Sequence, residues 1–188
     1  MIDYLYRIDL TIFYLFNHTL STPLLDKFFS LITAVNNWYI AYAILLLISF
    51  IKGGRMGRIT AIWVLILITL TDQASSNILK DLVHRLRPCT VLPDAITPVG
   101  CAGSYSFPSN HAFNNFAAAT FIYMFFPKLK WALFITAILI AISRIYLGLH
   151  YPSDVLGGAI FGAISGYLFA SLVLWIEKSI QHDSKKRF

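Results

Sequence analysis

Charged residues are scarce in this sequence of 188 residues: only 13% are Asp, Glu, Lys or Arg, while 57% are hydrophobic. Typical soluble domains are about 25% charged. A soluble core of this size cannot bury so much apolar surface, because a small domain leaves a large share of its area exposed. The composition therefore excludes a disordered chain, a coiled coil and a nucleic-acid-binding domain, and it indicates a small integral membrane protein.

Cysteines are also few. Cys89 and Cys101 are too few for a disulfide scaffold and lack the spacing of metal ligands. Both fall in one hydrophilic stretch, and the sequence leaves open whether they pair. No internal repeat or low-complexity segment is visible, and the first twenty residues lack the pattern of a cleavable signal peptide. We therefore expect a single membrane-embedded domain over residues 1–188.

Long hydrophobic runs predict an all-α, polytopic membrane bundle of five to six transmembrane helices. The runs cover about residues 38–51, 59–82, 112–126, 131–147 and 152–176. The first run can be extended back to residue 31. A further run at residues 4–20 is interrupted by Arg7 and Asp9, so it is either a sixth span, which we prefer, or an amphipathic helix in the interface.

Basic residues predict how the bundle is oriented. Nine of the fifteen Lys and Arg residues lie in loops 52–58 and 127–130 and in the tail 178–188. Alternating spans place these segments on one side, which the positive-inside rule assigns to the cytoplasm. The longest connection, residues 83–110, then lies outside and carries four of the seven prolines. Long loops are usually functional, so we expect the active site at this outer face.

Ionisable residues near the membrane are costly to retain, and each is therefore a functional candidate. Lys80 and Arg87 lie seven residues apart at the end of the second predicted span. Two turns of helix would place them on one face, with Pro88 ending the helix. Ser109 is a plausible N-cap of the third span, with His111 in its first turn, and a helix N-terminus favours an anion.

A third group, Arg144, His150 and Asp154, follows in SRIYLGLHYPSD. A helix that begins at Pro152 would bring Asp154 back towards His150. Three cations and a helix N-terminus suit the charged oxygens of a phosphoryl group. Two histidines suggest a nucleophile and an acid–base, and a carboxylate would orient the nucleophile. The residues therefore predict hydrolysis of a phosphate ester.

The three motifs together resemble the signature of the type 2 phosphatidic acid phosphatase superfamily. The matching segments are Lys80-x6-Arg87-Pro88, Pro108-Ser109-Asn110-His111 and Ser143-Arg144-x5-His150-x3-Asp154. The resemblance implies that His150 attacks phosphorus, that Asp154 orients His150 and that His111 protonates the leaving oxygen. It implies a phosphate site formed by Lys80, Arg87, Ser109, Asn110 and Arg144, with no metal and no cofactor.

Three further residues leave questions open. The family usually has glycine at the position of Asn110, whose backbone N–H would still serve an oxyanion. Asp72 shares a helical face with Lys80, so it either supports that lysine or makes a polar contact between helices. Arg85 lies between the motif positions, and we interpret it as solvated or in contact with lipid headgroups.

The resemblance further implies a substrate and a location. Among bacterial members, the chain looks most similar to lipid A 1-phosphatases, with phosphatidylglycerophosphate and undecaprenyl diphosphate phosphatases as alternatives. We expect a bacterial inner-membrane enzyme whose site faces the periplasm. Its expected partners are the bilayer and a phospholipid or lipid A substrate, with no nucleic acid and no obligate protein partner. The alternative of another class is a small anion transporter, although the charges gather at one membrane edge.

Overall fold

The computed structural model describes residues 2–101 and 103–186, and this part of the chain is helical with no strand. The α-helices in chain order are α1 (Ile2–Tyr14), α2 (Pro23–Thr33), α3 (Tyr39–Lys52), α4 (Gly54–Ala74), α5 (Lys80–Val83), α6 (Pro88–Val91), α7 (Asn110–Phe125), α8 (Lys130–Tyr146) and α9 (Pro152–Lys186). Short π-helical segments at Leu15–Thr19 and Ser75–Leu79 continue α1 and α4. The last two residues of the basic tail, Arg187 and Phe188, lie outside the described residues.

Helix α7 is the centre of the bundle and packs on α9, α8 and α4. The close approach of α9 depends on glycines at four-residue spacing. A Cβ atom on Gly158, Gly162 or Gly166 would collide with carbonyl oxygens of α7 or of Ser109, the residue that precedes it. Small residues repeated at this spacing let two membrane helices pack backbone to backbone. This packing fixes the N-terminus of α7 beside the N-terminus of α9.

Four helical segments in the described part of the chain are long and apolar enough to cross a membrane. They are Val35–Lys52, Gly54–Val83, Pro127–Tyr146 and Pro152–His182. The predicted helical membrane protein is confirmed, whereas a count of five to six spans stays a prediction. Helix α7 has 16 residues, and α9 continues ten residues beyond the predicted end at 176.

The N-terminal segment forms separate helices that pack against the site end of the bundle. The first predicted run extends back to Val35 but not to residue 31, because Ala34 has an extended backbone that separates α2 from the next helix. Asn17, fully buried after α1, donates hydrogen bonds to the carbonyl oxygens of Ile96 and Tyr146. The segment is thus anchored to both the long loop and α8.

Candidate active site

The structure brings Lys80 and Arg87 together, but not through the helix face that the sequence predicted. The helix ends at Val83, because His84 adopts a left-handed conformation with φ 51°. Arg87 is extended, as expected for a residue that precedes a proline. Pro88 does not end this helix but begins the short helix α6, where a proline lacks no needed hydrogen bond.

Ser104 in the long loop connects the two cations, and sequence reasoning missed it. The Lys80 Nζ atom lies 3.4 Å from Ser104 Oγ. Arg87 donates from Nε to the Ser104 carbonyl at 2.7 Å and from Nη2 to its hydroxyl at 3.0 Å. A serine 17 residues from Arg87 in a proline-rich loop carries no recognisable motif, so only the folded chain identifies it.

His150 is buried, with 1% of its surface exposed, directly against Arg87. Its Nε2 atom lies 3.0 Å from Arg87 Nη1. A guanidinium can only donate, so Nε2 accepts and the ring proton resides on Nδ1. The same Arg87 nitrogen donates to the Leu149 carbonyl at 3.0 Å. The lone pair of Nε2 therefore faces the cationic side of the site.

Asp154 lies behind His150 on the first turn of α9 and is fully buried. Its Oδ2 atom is 3.8 Å from His150 Nδ1 and accepts hydrogen bonds from Ser106 Oγ at 2.5 Å and Tyr151 N at 2.8 Å. Ser106 Oγ also lies 3.4 Å from His150 Nδ1. Ser106 is a second residue that the sequence did not reveal, and it bridges the histidine and the carboxylate.

His111 and Arg144 are linked through Thr33, the last residue of α2. The Arg144 Nη1 atom donates to Thr33 Oγ1 at 2.8 Å, and the His111 ring lies 3.2 Å from the Thr33 carbonyl oxygen. Thr33 is buried and 111 residues distant from Arg144. The N-terminal part of the chain thereby fixes one wall of the site.

Two buried polar atoms in this wall have no hydrogen-bond partner among the described residues: Ser109 Oγ and Arg144 Nε. Ser109 holds the predicted N-cap position of α7, but its hydroxyl makes no capping bond. Buried polar groups are normally paired, so these two atoms are candidates to bind an incoming group. A hydroxyl, a guanidinium N–H and a helix N-terminus together suit an anion.

The Asn110 side chain points to α4 rather than to these cations. It donates to Asp72 Oδ1 at 3.2 Å and to Ser76 Oγ at 2.6 Å. Asp72 also accepts from Asn114 at 3.1 Å, which supports the polar helix–helix contact over the interpretation that it supports Lys80. Only the backbone N–H of Asn110, at the first position of α7, remains for an anion.

Cys89 and Cys101 form a disulfide with Cα atoms 5.8 Å apart. Cys89 also donates its backbone N–H to the Gly148 carbonyl at 3.2 Å. The bridge joins α6 to the part of the loop that leads into Ser104 and Ser106. It braces that loop and supplies no reacting group. No group of three or more His, Cys, Asp or Glu side chains within the described ranges is placed to hold a metal ion.

The pKa of His150 is lowered from 6.5 to about 3, mainly by burial and also by the charges of Arg87 and Arg144, while Asp154 opposes the shift. Below pH 6.5 the unfolded chain therefore binds a proton that the folded protein does not. We expect His150 to stabilise the fold fully above pH 6.5 and to lose this contribution as the pH falls towards 3. The slope is about 1.4 kcal/mol per pH unit.

The measurement is the melting temperature of the detergent-solubilised protein between pH 7.5 and 5. His150→Gln is expected to lose less stability over this interval than the wild-type protein. The matched control His182→Gln, at an exposed position on α9, should follow the wild-type curve. Parallel curves for wild type and His150→Gln would contradict a neutral, buried His150.

The chain is similar to several known proteins. The family model of the PAP2 superfamily matches residues 61–178. A lipid A 4'-phosphatase of Bacteroides thetaiotaomicron is 33% identical, over 98% of this chain and 85% of that protein. Aquifex aeolicus LpxE superimposes with a TM-score of 0.67 at 28% identity, covering 87% of this chain and 95% of that one. The Bacillus subtilis phosphatidylglycerolphosphate phosphatase superimposes with a TM-score of 0.66 at 27% identity, covering 94% of this chain and 87% of that one.

Proposed function

The chain belongs to the PAP2 superfamily and is a lipid phosphatase, and we propose that it removes a phosphate from a membrane lipid through a phosphohistidine on His150. One observation carries this proposal. The Nε2 lone pair of a neutral, buried histidine faces Arg87, while Asp154 and Ser106 lie at Nδ1. A nucleophile oriented by a carboxylate on its far side is the arrangement that covalent catalysis requires.

The phosphoryl oxygens occupy the cationic pocket in the first step. Lys80, Arg87 and Arg144 supply charge, and the Ser109 hydroxyl and the N-terminus of α7 supply further donors. Arg87 Nη1 moves its hydrogen bond from His150 Nε2 to a phosphoryl oxygen, which frees the lone pair. These groups stabilise the negative charge that is spread over the oxygens in the transition state.

His150 then attacks phosphorus. The Nε2–P bond forms and the bond from phosphorus to the lipid oxygen breaks. His111, protonated by the acid proton of the bound phosphate monoester, gives that proton to the departing oxygen. The positive charge on the His150 ring is balanced by Asp154. In the second step a water oxygen bonds to phosphorus, His111 takes the water proton, and the Nε2–P bond breaks to release inorganic phosphate. The residues alternate between acid and base roles, as microscopic reversibility requires.

The substrate we propose is lipid A, with hydrolysis at the 4'-phosphate. The sequence favoured the 1-phosphate, but the similarity to the Bacteroides 4'-phosphatase runs over nearly the whole chain, including the N-terminal segment that holds Thr33. Phosphatidylglycerophosphate is the second candidate, because the Bacillus structure covers a similar share of the chain. Undecaprenyl diphosphate stays an alternative from the sequence. We further propose that the protein lies in the bacterial inner membrane with its site open to the periplasm, and the distribution of basic residues supports this orientation.

The experiment is phosphate release by the purified protein in detergent with EDTA. The panel contains lipid A, phosphatidylglycerophosphate, undecaprenyl diphosphate and phosphatidic acid. We expect lipid A to be hydrolysed fastest, and mass spectrometry of the product to show loss of the 4'-phosphate with the 1-phosphate retained. Faster phosphate release from another lipid would overturn the assignment of lipid A as the substrate. Loss of the 1-phosphate would overturn the assignment of the 4'-position. No release from any lipid would overturn the phosphatase mechanism and favour anion transport.

A further inference from the structure

We infer that Asp9 on the N-terminal helix and Arg85 form a positioning pair that sets the charge and orientation of Asp154 behind the reacting histidine. This inference rests on the proposed function, since it concerns the same reaction. Neither residue belongs to the three motifs that resemble the superfamily signature. The sequence indicated an Arg85 that is solvated or in contact with lipid headgroups, whereas the structure places its guanidinium between Asp154 and Asp9.

Arg85 holds one oxygen of the Asp154 carboxylate directly and is linked to the other through Ser106. Its Nη1 atom donates to Asp154 Oδ1 at 2.6 Å. Its backbone carbonyl accepts from Ser106 N at 2.7 Å, and the hydroxyl of that serine donates to Asp154 Oδ2. A charged, partly shielded pair of this geometry is among the strong hydrogen bonds of proteins. The Asp154 carboxylate therefore cannot rotate without breaking contacts with Arg85.

Asp9 holds Arg85 in turn. Its carboxylate accepts from Arg85 Nη2 at 2.7 Å, and only 7% of Asp9 is exposed. It also accepts from the backbone N–H of Ser153 at 2.8 Å and from the Ser153 hydroxyl. The N-terminus of α9, on which Asp154 lies, is thereby tied to α1. The Arg85 guanidinium further stacks 4.1 Å from the centre of the Tyr151 ring.

The network of Asp9, Arg85 and Asp154 contains two carboxylates and one guanidinium. Burial by itself lowers the pKa of Arg85, but Asp154 and Asp9 raise it, so the guanidinium stays charged. One cation is shared between two carboxylates, so this group of three side chains has a net charge of −1 on the Nδ1 side of His150. A bond from His150 to phosphorus makes the imidazole ring positive. If Arg85 neutralised Asp154 alone, less negative charge would face that ring.

The test compares Asp9→Asn with Asp81→Asn. Both replace a carboxylate by an amide of the same shape, but Asp81 is exposed on α5. We expect Asp9→Asn to lower kcat for the preferred lipid about 10- to 100-fold, the range found when the outer partner of a metal-bound histidine is removed. KM should change by less than about threefold, because Asp9 does not touch the substrate. Asp81→Asn should match the wild-type protein in both constants.

Two further variants distinguish positioning from simple structural support. Arg85→Lys retains a cation without the fork of donors, so it should lose activity. Asp9→Glu retains the carboxylate, so it should keep part of the activity that Asp9→Asn loses. Arg85→Ala should regain activity when guanidinium ion is added at millimolar concentration. A fall in kcat that only follows a lower melting temperature, without rescue by guanidinium, would overturn the inference.

Failure of this inference can be distinguished from failure of the proposed function. If wild type and Asp81→Asn hydrolyse the lipid and Asp9→Asn does so with an unchanged kcat, the positioning pair is wrong and the proposed function stands. If the wild-type protein hydrolyses no lipid of the panel, the proposed function is wrong and the inference falls with it.

Discussion

His150→Gln is expected to abolish phosphate release, with a loss of at least about 10⁴-fold in kcat, because the attacking atom itself is removed. The amide nitrogen of glutamine is far less nucleophilic than Nε2, because its lone pair is delocalised into the carbonyl group. The contacts around this atom, 3.0 Å to Arg87 and a carboxylate behind the ring, are those of a nucleophile held for attack. The measurement is phosphate release from the preferred lipid, together with labelling of the protein by lipid carrying ³²P.

The control is His182→Gln, which makes the same replacement at an exposed position of α9 and should retain wild-type activity. Labelled wild-type protein should hold phosphate that is stable to base and released by acid, as expected for phosphohistidine. His150→Gln should carry no such label. Residual turnover within tenfold of the wild-type rate would show that His150 is not the nucleophile, whatever the behaviour of the other residues.

The three motifs lie together in the structure because their spacing brings loop and helix ends to one place. Lys80 and Arg87 meet as predicted, yet the reason is Ser104 and an extended chain rather than one helical face. The prediction of a shared face assumed that the helix continues to Pro88. A left-handed His84 ends it earlier, and a single histidine gives no signal for that conformation.

The residues that support the motifs could not be predicted in the same way. Thr33, Ser104, Ser106 and Arg85 act through contacts with partners 17 to 111 residues away. Hydrophobic periodicity and helix caps report on neighbours within one or two turns, so they carry no information on such partners. Asp9 was visible as a charge inside an apolar run, but its role depends on how α1 packs against α9.

His111→Gln is expected to lower kcat for a lipid monoester by about 10²- to 10⁴-fold, the usual contribution of a general acid. His111 lies in the first turn of α7, beside the unpaired Ser109 hydroxyl, with its ring held by the Thr33 carbonyl. A lipid alkoxide is a poor leaving group and needs a proton as the bond to phosphorus breaks. The general-acid role of His111 is therefore measured by comparing phosphate release from the lipid with release from an aryl phosphate.

An aryl phosphate leaves as a stable phenolate without a proton, so the loss for His111→Gln should be much smaller with this substrate. His150→Gln serves as the comparison, because loss of the nucleophile should affect both substrates equally. Equal losses for both substrates in His111→Gln would contradict the general-acid role and would indicate that His111 binds the phosphoryl group. The ratio of the two losses thus separates proton transfer from binding, since only proton transfer depends on the basicity of the oxygen that departs.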